Sequence, residues 1–211
     1  ALELSEQVRS ELARRGWESA LHAFEGRPGA VPEISDYDLA VTLGGDGTVL
    51  YSARLLAPYD VPILPINLGT LGFIAWVRRG EWQERLAECL DGRLLASERI
   101  MLEIEAKRPH ERAARFLALN DGVVSGAGPA KIVYLKISAS GASLGTYRSD
   151  GAIVATPTGS TAYSLAAGGP IVAPEMDAMI FNPICPFALS NRPLVIPGNE
   201  RIEIQVCEGQ R

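Results

Sequence analysis

Asp150 to Pro170 crowds Asp150, Thr156, Thr158, Ser160, Thr161, Tyr163 and Ser164 among glycines and alanines, two residues after Arg148. A short apolar run ends in a Pro/Gly turn that opens into small and hydroxyl residues, which predicts a helix start. Small residues let a ligand approach the backbone, and free N–H groups at a helix N-terminus favour anions. Leu43-Gly-Gly-Asp-Gly-Thr48 repeats the plan with a strand, a glycine turn, one carboxylate and then a helix. Two such corners point to a phosphate-bearing ligand.

The carboxylate in the first turn, Asp46, is placed to take a proton from a substrate hydroxyl or to hold a divalent cation. The same Gly44–Gly47 turn also has a purely local reading, with glycines for backbone freedom and Asp46 capping the next helix. Asn120-Asp121-Gly122 follows an apolar run. It reads as a turn on its own, or as an amide and a carboxylate at a strand end facing a base and a ribose, since an ionised carboxylate only accepts hydrogen bonds. Phe73 is a stacking ring or a core residue. Lys131 and Arg148 are phosphate contacts or solvated side chains.

The elements that must position these residues change character along the chain. Residues 2–15 read as an amphipathic helix with Leu4, Val8 and Leu12 on one stripe, and a short strand is expected around Leu21 to Phe24. Asp38 to Leu43 and Val61 to Ile66 are near-continuous apolar runs, as in buried parallel strands. Helices are expected over Val49 to Ala57 and Glu81 to Leu90. From about Ser97 the pattern becomes β-type, over Ile100 to Ala106, Arg115 to Leu119, Lys131 to Ala139, Leu144 to Tyr147, Ile153 to Thr156 and Arg201 to Val206, with one short helix near Thr161 to Ala167. The expected architecture is an α/β, Rossmann-like N-terminal domain over residues 1–97 and a β-rich, sandwich-like domain over 98–211, with the active site between them.

Composition narrows the function. The 211 residues carry a net charge of -5, which argues against a nucleic-acid binder. Three scattered cysteines give neither zinc spacing nor a disulfide framework, which favours a reducing, cytoplasmic compartment. No apolar run approaches a membrane span, and the start of the chain lacks signal-peptide regions. Two histidines, neither in a motif, fit a Ser-His-Asp hydrolase poorly.

Taken together, these motifs resemble the NAD kinase family over about Asp38 to Val206. Gly44 to Thr48 is similar to its GGDGT motif, and Asn67-Leu-Gly-Thr-Leu-Gly-Phe73 to its N-x-G-x-L-G-F loop. Asn120-Asp121 is similar to its Asn-(Glu/Asp) pair, and Asp150 to Pro170 to its long T-P-T-G-S-T-A-Y segment. Asn182 to Ser190 and Arg192 to Ile196 resemble the stretch that follows. The glycine turn alone is shared with diacylglycerol and sphingosine kinases; the ordered set is specific.

The resemblance implies ATP- and Mg²⁺-dependent (or other divalent-cation-dependent) phosphorylation of the 2′-hydroxyl of the adenosine ribose of NAD, giving NADP. It implies Asp46 as general base and Gly45 and Gly47 around the phosphates. Asn120 and Asp121 would sit on adenine and ribose, with Lys131, Arg148 and Asp150 as further dinucleotide contacts. Thr161, Ala162, Tyr163, Ser164, Leu165 and Ala166 would line the dinucleotide site, and Phe73 would border an adenine. It also implies a homodimer or homotetramer. Against the family pattern, this chain is expected to start inside the first helix and to stop after Val206, which bears on sheet closure and subunit contacts. It also carries Pro186-Phe-Ala-Leu-Ser190 where the family has a histidine after the proline. The alternatives are a lipid kinase, which leaves Thr156 to Tyr163 unexplained, and a dinucleotide-binding module without turnover.

Overall fold

A computed structural model describes residues 1–24, 33–34, 36–70, 72–128, 132–188 and 191–207. Lys131 lies outside them. The chain divides into two compact units, Ala1–Ala96 and Ser97–Arg211.

The first unit is built on a parallel sheet. Helix α1 (Leu2–Arg14) is followed by β1 (Ala40–Gly44), α2 (Asp46–Leu56), β2 (Ile63–Asn67), β3 (Val77–Arg78) and α3 (Trp82–Leu90). The strand order is β1-β2-β3, parallel throughout. Leu4 and Val8 of α1 and Trp82 and Leu86 of α3 close on Leu64, Ile66 and Val77 of the sheet. Burial of this apolar stripe, rather than helix propensity, holds α1 in place.

Two expectations are corrected here. Leu21 to Phe24 forms no strand. Instead Phe24 stacks on Tyr51 of α2 at 3.8 Å between ring centroids, with the His22 ring 6.3 Å from Tyr51 and 6.4 Å from Phe24. Ring packing against a helix gives the apolar patch its cover, so ladder pairing is not needed. Helix α2 begins at Asp46 rather than Val49, because the Thr48 and Val49 amides both donate to the Gly45 carbonyl. The glycine turn is therefore the first turn of the helix.

The second unit is β-rich. A hairpin of β4 (Leu102–Ala106) and β5 (Ala114–Ala118) precedes β6 (Asp121–Ser125), β7 (Val133–Ala139), β8 (Ala142–Ser149) and β9 (Gly151–Ala155). A 3₁₀ turn (Thr158–Thr161) and the one-turn helix α4 (Tyr163–Ala166) follow, then β10 (Ala178–Ile184), β11 (Leu194–Pro197) and β12 (Ile202–Cys207). The sheets run β11-β10-β9-β6 and β12-β7-β8, with the β4-β5 pair separate. Leu135, Ile137 and Tyr147 of one sheet pack on Ala152, Phe181 and Ile196 of the other, as in a sandwich.

The central strands β9 and β10 of the four-stranded sheet are buried on both faces. Ile153, Ala155 and Ile180 turn away from the sandwich onto Val172 and Ile184. Every residue of β10 is buried, which is why its sequence shows no alternation. Strand β6 starts at Asp121, so Asn120-Asp121-Gly122 enters a strand and is not the tip of a hairpin.

Candidate functional site

The parallel register of β1 and β2 brings Gly44 level with Asn67. Two loops therefore leave the C-terminal edge of the sheet side by side, where open α/β sheets take ligands. Asn67 organises the second loop from a 5 % exposed position. Its Nδ2 donates to the carbonyls of Thr70 and Ala75, both at 3.0 Å, and its Oδ1 accepts from the Gly69 amide at 2.8 Å.

Asp46 ties the two loops together. Its Oδ2 accepts from the Phe73 amide at 2.9 Å, and its Oδ1 accepts from the amides of Ile74 at 3.1 Å and Ala75 at 2.9 Å. Gly72 permits this approach, because a Cβ there would fall well inside van der Waals contact of Asp46 Oδ1. Three N–H donors and the positive end of α2 make this a built anionic position. Gly45 and Gly47 are exposed, and outside the adjoining chain no atom of the described residues lies within 4 Å of where a Cβ would stand. The Phe73 ring is 77 % exposed and is not a core residue.

In the second unit the Asn120 carbonyl accepts from the Thr156 amide at 2.8 Å. The Thr156 hydroxyl donates to the Leu119 carbonyl and accepts from the Gly159 amide at 3.0 Å. Gly159 abuts the Asn120 backbone so closely that a Cβ would overlap its carbonyl. This fastens the Thr158–Thr161 turn to the start of β6. Asn120 Oδ1 and Thr158 Oγ1 are buried and have no hydrogen-bond partner among the described residues. Burial raises the Asp121 carboxyl pKa from its ordinary value. An acceptor lacking a donor beside a partly desolvated carboxylate suits a ligand bearing hydroxyl and N–H groups.

The helix start is braced from behind. Ser160 Oγ accepts from the Val172 amide at 3.1 Å. Asn182, 1 % exposed on β10, donates to the Ser164 carbonyl at 2.9 Å. Ala162 and Ala166 carry no polar group, and Thr161 Oγ1 donates to the Thr158 carbonyl at 3.4 Å. Tyr163 and Leu165 are 47 % and 40 % exposed, on the open side of the turn. Asn182→Ala should remove this brace while the Ser164 carbonyl keeps the Gly169 amide as donor at 2.8 Å, and cost about 0.5–1.5 kcal/mol, read as a lowered denaturation midpoint at unchanged m-value.

The predicted residues of this unit fall into two groups. Asn120, Asp121 and Thr161 to Ala166 gather at the Ala155 end of β9. Arg148 and Asp150 sit at its Gly151 end, about 13 Å away along the strand. There Asp150 is exposed, and Arg148 lies over the rings of Phe187 and Tyr134. Sequence reasoning missed Asn182 and Ser160 as braces. The signal for Asn182 was a lone amide inside an apolar strand.

Family models for the N-terminal and C-terminal domains of ATP-NAD kinase match residues 13–94 and 119–211. The NAD kinase of Treponema denticola is 45 % identical over 207 residues, covering 98 % of this chain and 72 % of that protein. The chain belongs to the NAD kinase family. Several other bacterial NAD kinases match over about three fifths of their own length. An NAD kinase from Archaeoglobus fulgidus, solved in complex with ATP, superposes with a TM-score of 0.81 at 30 % identity, over 96 % of this chain and 76 % of that one. A yeast NADH kinase complexed with NADH gives 0.78 at 37 % identity, over 82 % of this chain and 49 % of that one. The α/β unit followed by a β-rich unit is thus the NAD kinase fold.

Proposed function

We infer that this chain phosphorylates the 2′-hydroxyl of the adenosine ribose of NAD, with ATP as donor, giving NADP. The observation that carries the reading is Asp46, a family-motif carboxylate fixed at a strand end by three backbone amides. In the reaction the ribose O2′–H proton passes to an Asp46 oxygen while the O2′–Pγ bond forms. The bond from Pγ to the bridging oxygen breaks, and ADP leaves. Phosphoryl transfer rests mainly on positioning and electrostatics, so one base and a cradle are sufficient side-chain chemistry.

The remaining roles follow the two groups of residues. Gly45 and Gly47 offer open backbone to phosphates, and Phe73 offers a free ring to an adenine. Asn120 and Asp121 receive the adenine and ribose of NAD, supported by the partnerless Asn120 Oδ1. Thr161, Ala162, Tyr163, Ser164, Leu165 and Ala166 line the same site. Arg148 and Asp150 contact the dinucleotide farther along, and Lys131 is a further contact by resemblance.

Among the described residues no three His, Cys, Asp or Glu side chains cluster as a metal cage. The resemblance implies Mg²⁺, which keeps waters and substrate phosphates as most of its ligands and takes one or two carboxylates at most. When bound, such an ion would neutralise charge on the transferring phosphoryl group.

The domain division is proposed at 97/98, where the sequence pattern turns β-type, and the oligomer, by resemblance, as a homodimer or homotetramer. No described helix is long and apolar enough to cross a membrane. Three free cysteines support a cytoplasmic setting.

The test is incubation with Mg²⁺-ATP and NAD, with NADP detected by an NADP-specific dehydrogenase. NADP formation is expected. Lipid phosphorylation in its place, or NAD binding without NADP, would overturn the reading.

Asp121 gives a pH-linked prediction. A carboxyl whose folded pKa is raised contributes stability that is present below its unfolded pKa and lost as pH rises through the folded value. Asp121→Asn should therefore stabilise the fold near pH 7, by about 1 kcal/mol at most for a half-exposed group, and show no gain near pH 3. The same change should weaken NAD binding. Melting curves at the two pH values and an NAD titration check both halves.

A further inference from the structure

Arg148, assigned above to the dinucleotide, has ring contacts that this assignment leaves without a role. Its guanidinium carbon stands 4.1 Å from the centroid of the Phe187 ring and 6.0 Å from that of Tyr134. Tyr134 is its cross-strand partner in the β7–β8 ladder. The Phe187 amide donates to the Arg148 carbonyl at 2.9 Å, so the backbones are joined as well as the side chains. The chain reaches Phe187 through Cys185, held at φ 45, which turns it off the end of β10 towards β8. Arg148 has no salt-bridge partner among the described residues, although exposed arginines elsewhere on the chain are mostly paired. Phe187 is itself 57 % exposed, so its ring is not there to fill the core.

A guanidinium covered by a ring on one face keeps its N–H groups in the plane and pointing outward. Such a planar fork matches phosphate oxygens bidentately. Ring contact also restricts a long, rotamer-rich side chain before any ligand arrives, which lowers the ordering cost on binding. Phe187 has no hydrogen-bonding side-chain group, so its contribution must come through the cation that it orders.

We propose that Phe187 is a positioning residue that holds the Arg148 guanidinium ready for a phosphate group of the dinucleotide. The proposal rests on the NAD kinase reading of the chain. It assigns Phe187 to affinity for the dinucleotide and not to the chemical step.

The test measures KM and kcat for NAD at saturating Mg²⁺-ATP, with NAD affinity by calorimetry. Phe187→Ala should raise KM about three- to tenfold with kcat changed less than about threefold. Phe187→Tyr and Phe187→Trp, which restore a ring face, should return KM to within about twofold. Arg148→Ala should raise KM about tenfold or more, and Phe187→Ala on that background should add less than twofold. Arg148→Lys should not rescue, because an ammonium lacks the planar fork. A wild-type KM in Phe187→Ala, a failure of the aromatic replacements, or full additivity with Arg148→Ala would overturn the proposal. A wild-type protein that makes no NADP would instead overturn the parent reading. Thermal melts separate local from global effects, since an exposed ring should move Tm little.

Discussion

Asp46→Asn is expected to lower kcat by about 10²- to 10⁴-fold, the range typical of a removed general base. NAD affinity should stay within roughly tenfold, about 1.4 kcal/mol. The geometry says why the variant does more than delete a base. Asparagine keeps one acceptor oxygen but turns an amide NH₂ towards a backbone donor that Asp46 now satisfies at Phe73 or at Ile74 and Ala75. Some loosening of residues 72–75 should accompany the loss of turnover. Gly72→Ala supplies the comparison, because it disturbs the same junction with the carboxylate intact. If the loop alone set the rate, the two variants would lose activity equally. If Asp46 takes the proton, Asp46→Asn should be slower by at least an order of magnitude. An Asp46→Asn protein that keeps most of its activity would remove the base assignment.

Gly159→Ala should be the most damaging single-methyl change in the second unit. The added Cβ meets the Asn120 carbonyl and its neighbouring backbone atoms, which have no flexible side chain to yield. A clash of this kind costs about 1–3 kcal/mol or more. In a chain of this size that lowers Tm by roughly 2–4 °C per kcal/mol. The Thr156 hydroxyl bonds that tie the turn to β6 should loosen together, and NAD binding should fall more than tenfold because Asn120 and Asp121 are displaced. Gly45→Ala gives the contrast. Its Cβ would point into open space, so the fold should lose about 1 kcal/mol or less, from the poorer N-cap. Any large loss of turnover there reflects crowding of the ligand. Calorimetric melts and NAD titrations on both variants separate the two cases.

The sequence disclosed most of the first unit and only part of the second, for physical reasons. Apolar runs that close at Gly44 and at Asn67 announce buried parallel strands because both are short and end at turn-forming residues. Strands β7, β8 and β12 are readable because one face is wet, and alternation follows. Strand β10 is covered on both faces, and its period vanishes with its exposure. Strand β6 hides behind a turn-forming triplet; Gly122 is tolerated there because Ile104 of β4 lies over it. Leu21 to Phe24 has strand-like composition but finds its partner in the rings of α2. At the candidate site, the residue types and their order were legible. What no spacing could reveal was that Asp46 faces the backbone of Phe73 to Ala75, that Asn182 braces Ser164, or that Phe187 lies under Arg148. Each is a contact between segments distant in sequence.

The triple amide contact at Asp46 also bears on how this chain can change over evolutionary time. On the proposed function the same carboxylate would serve the fold of the loop and the transfer of a proton, so selection would act on it twice. A descendant that abandoned phosphoryl transfer would still be held to aspartate here by the three amides it satisfies. Loss of activity would then be recorded first at positions with only one duty, such as the open-backed glycines Gly45 and Gly47 on either side. Those glycines, more than the acid between them, are where an inactive lineage would first show itself.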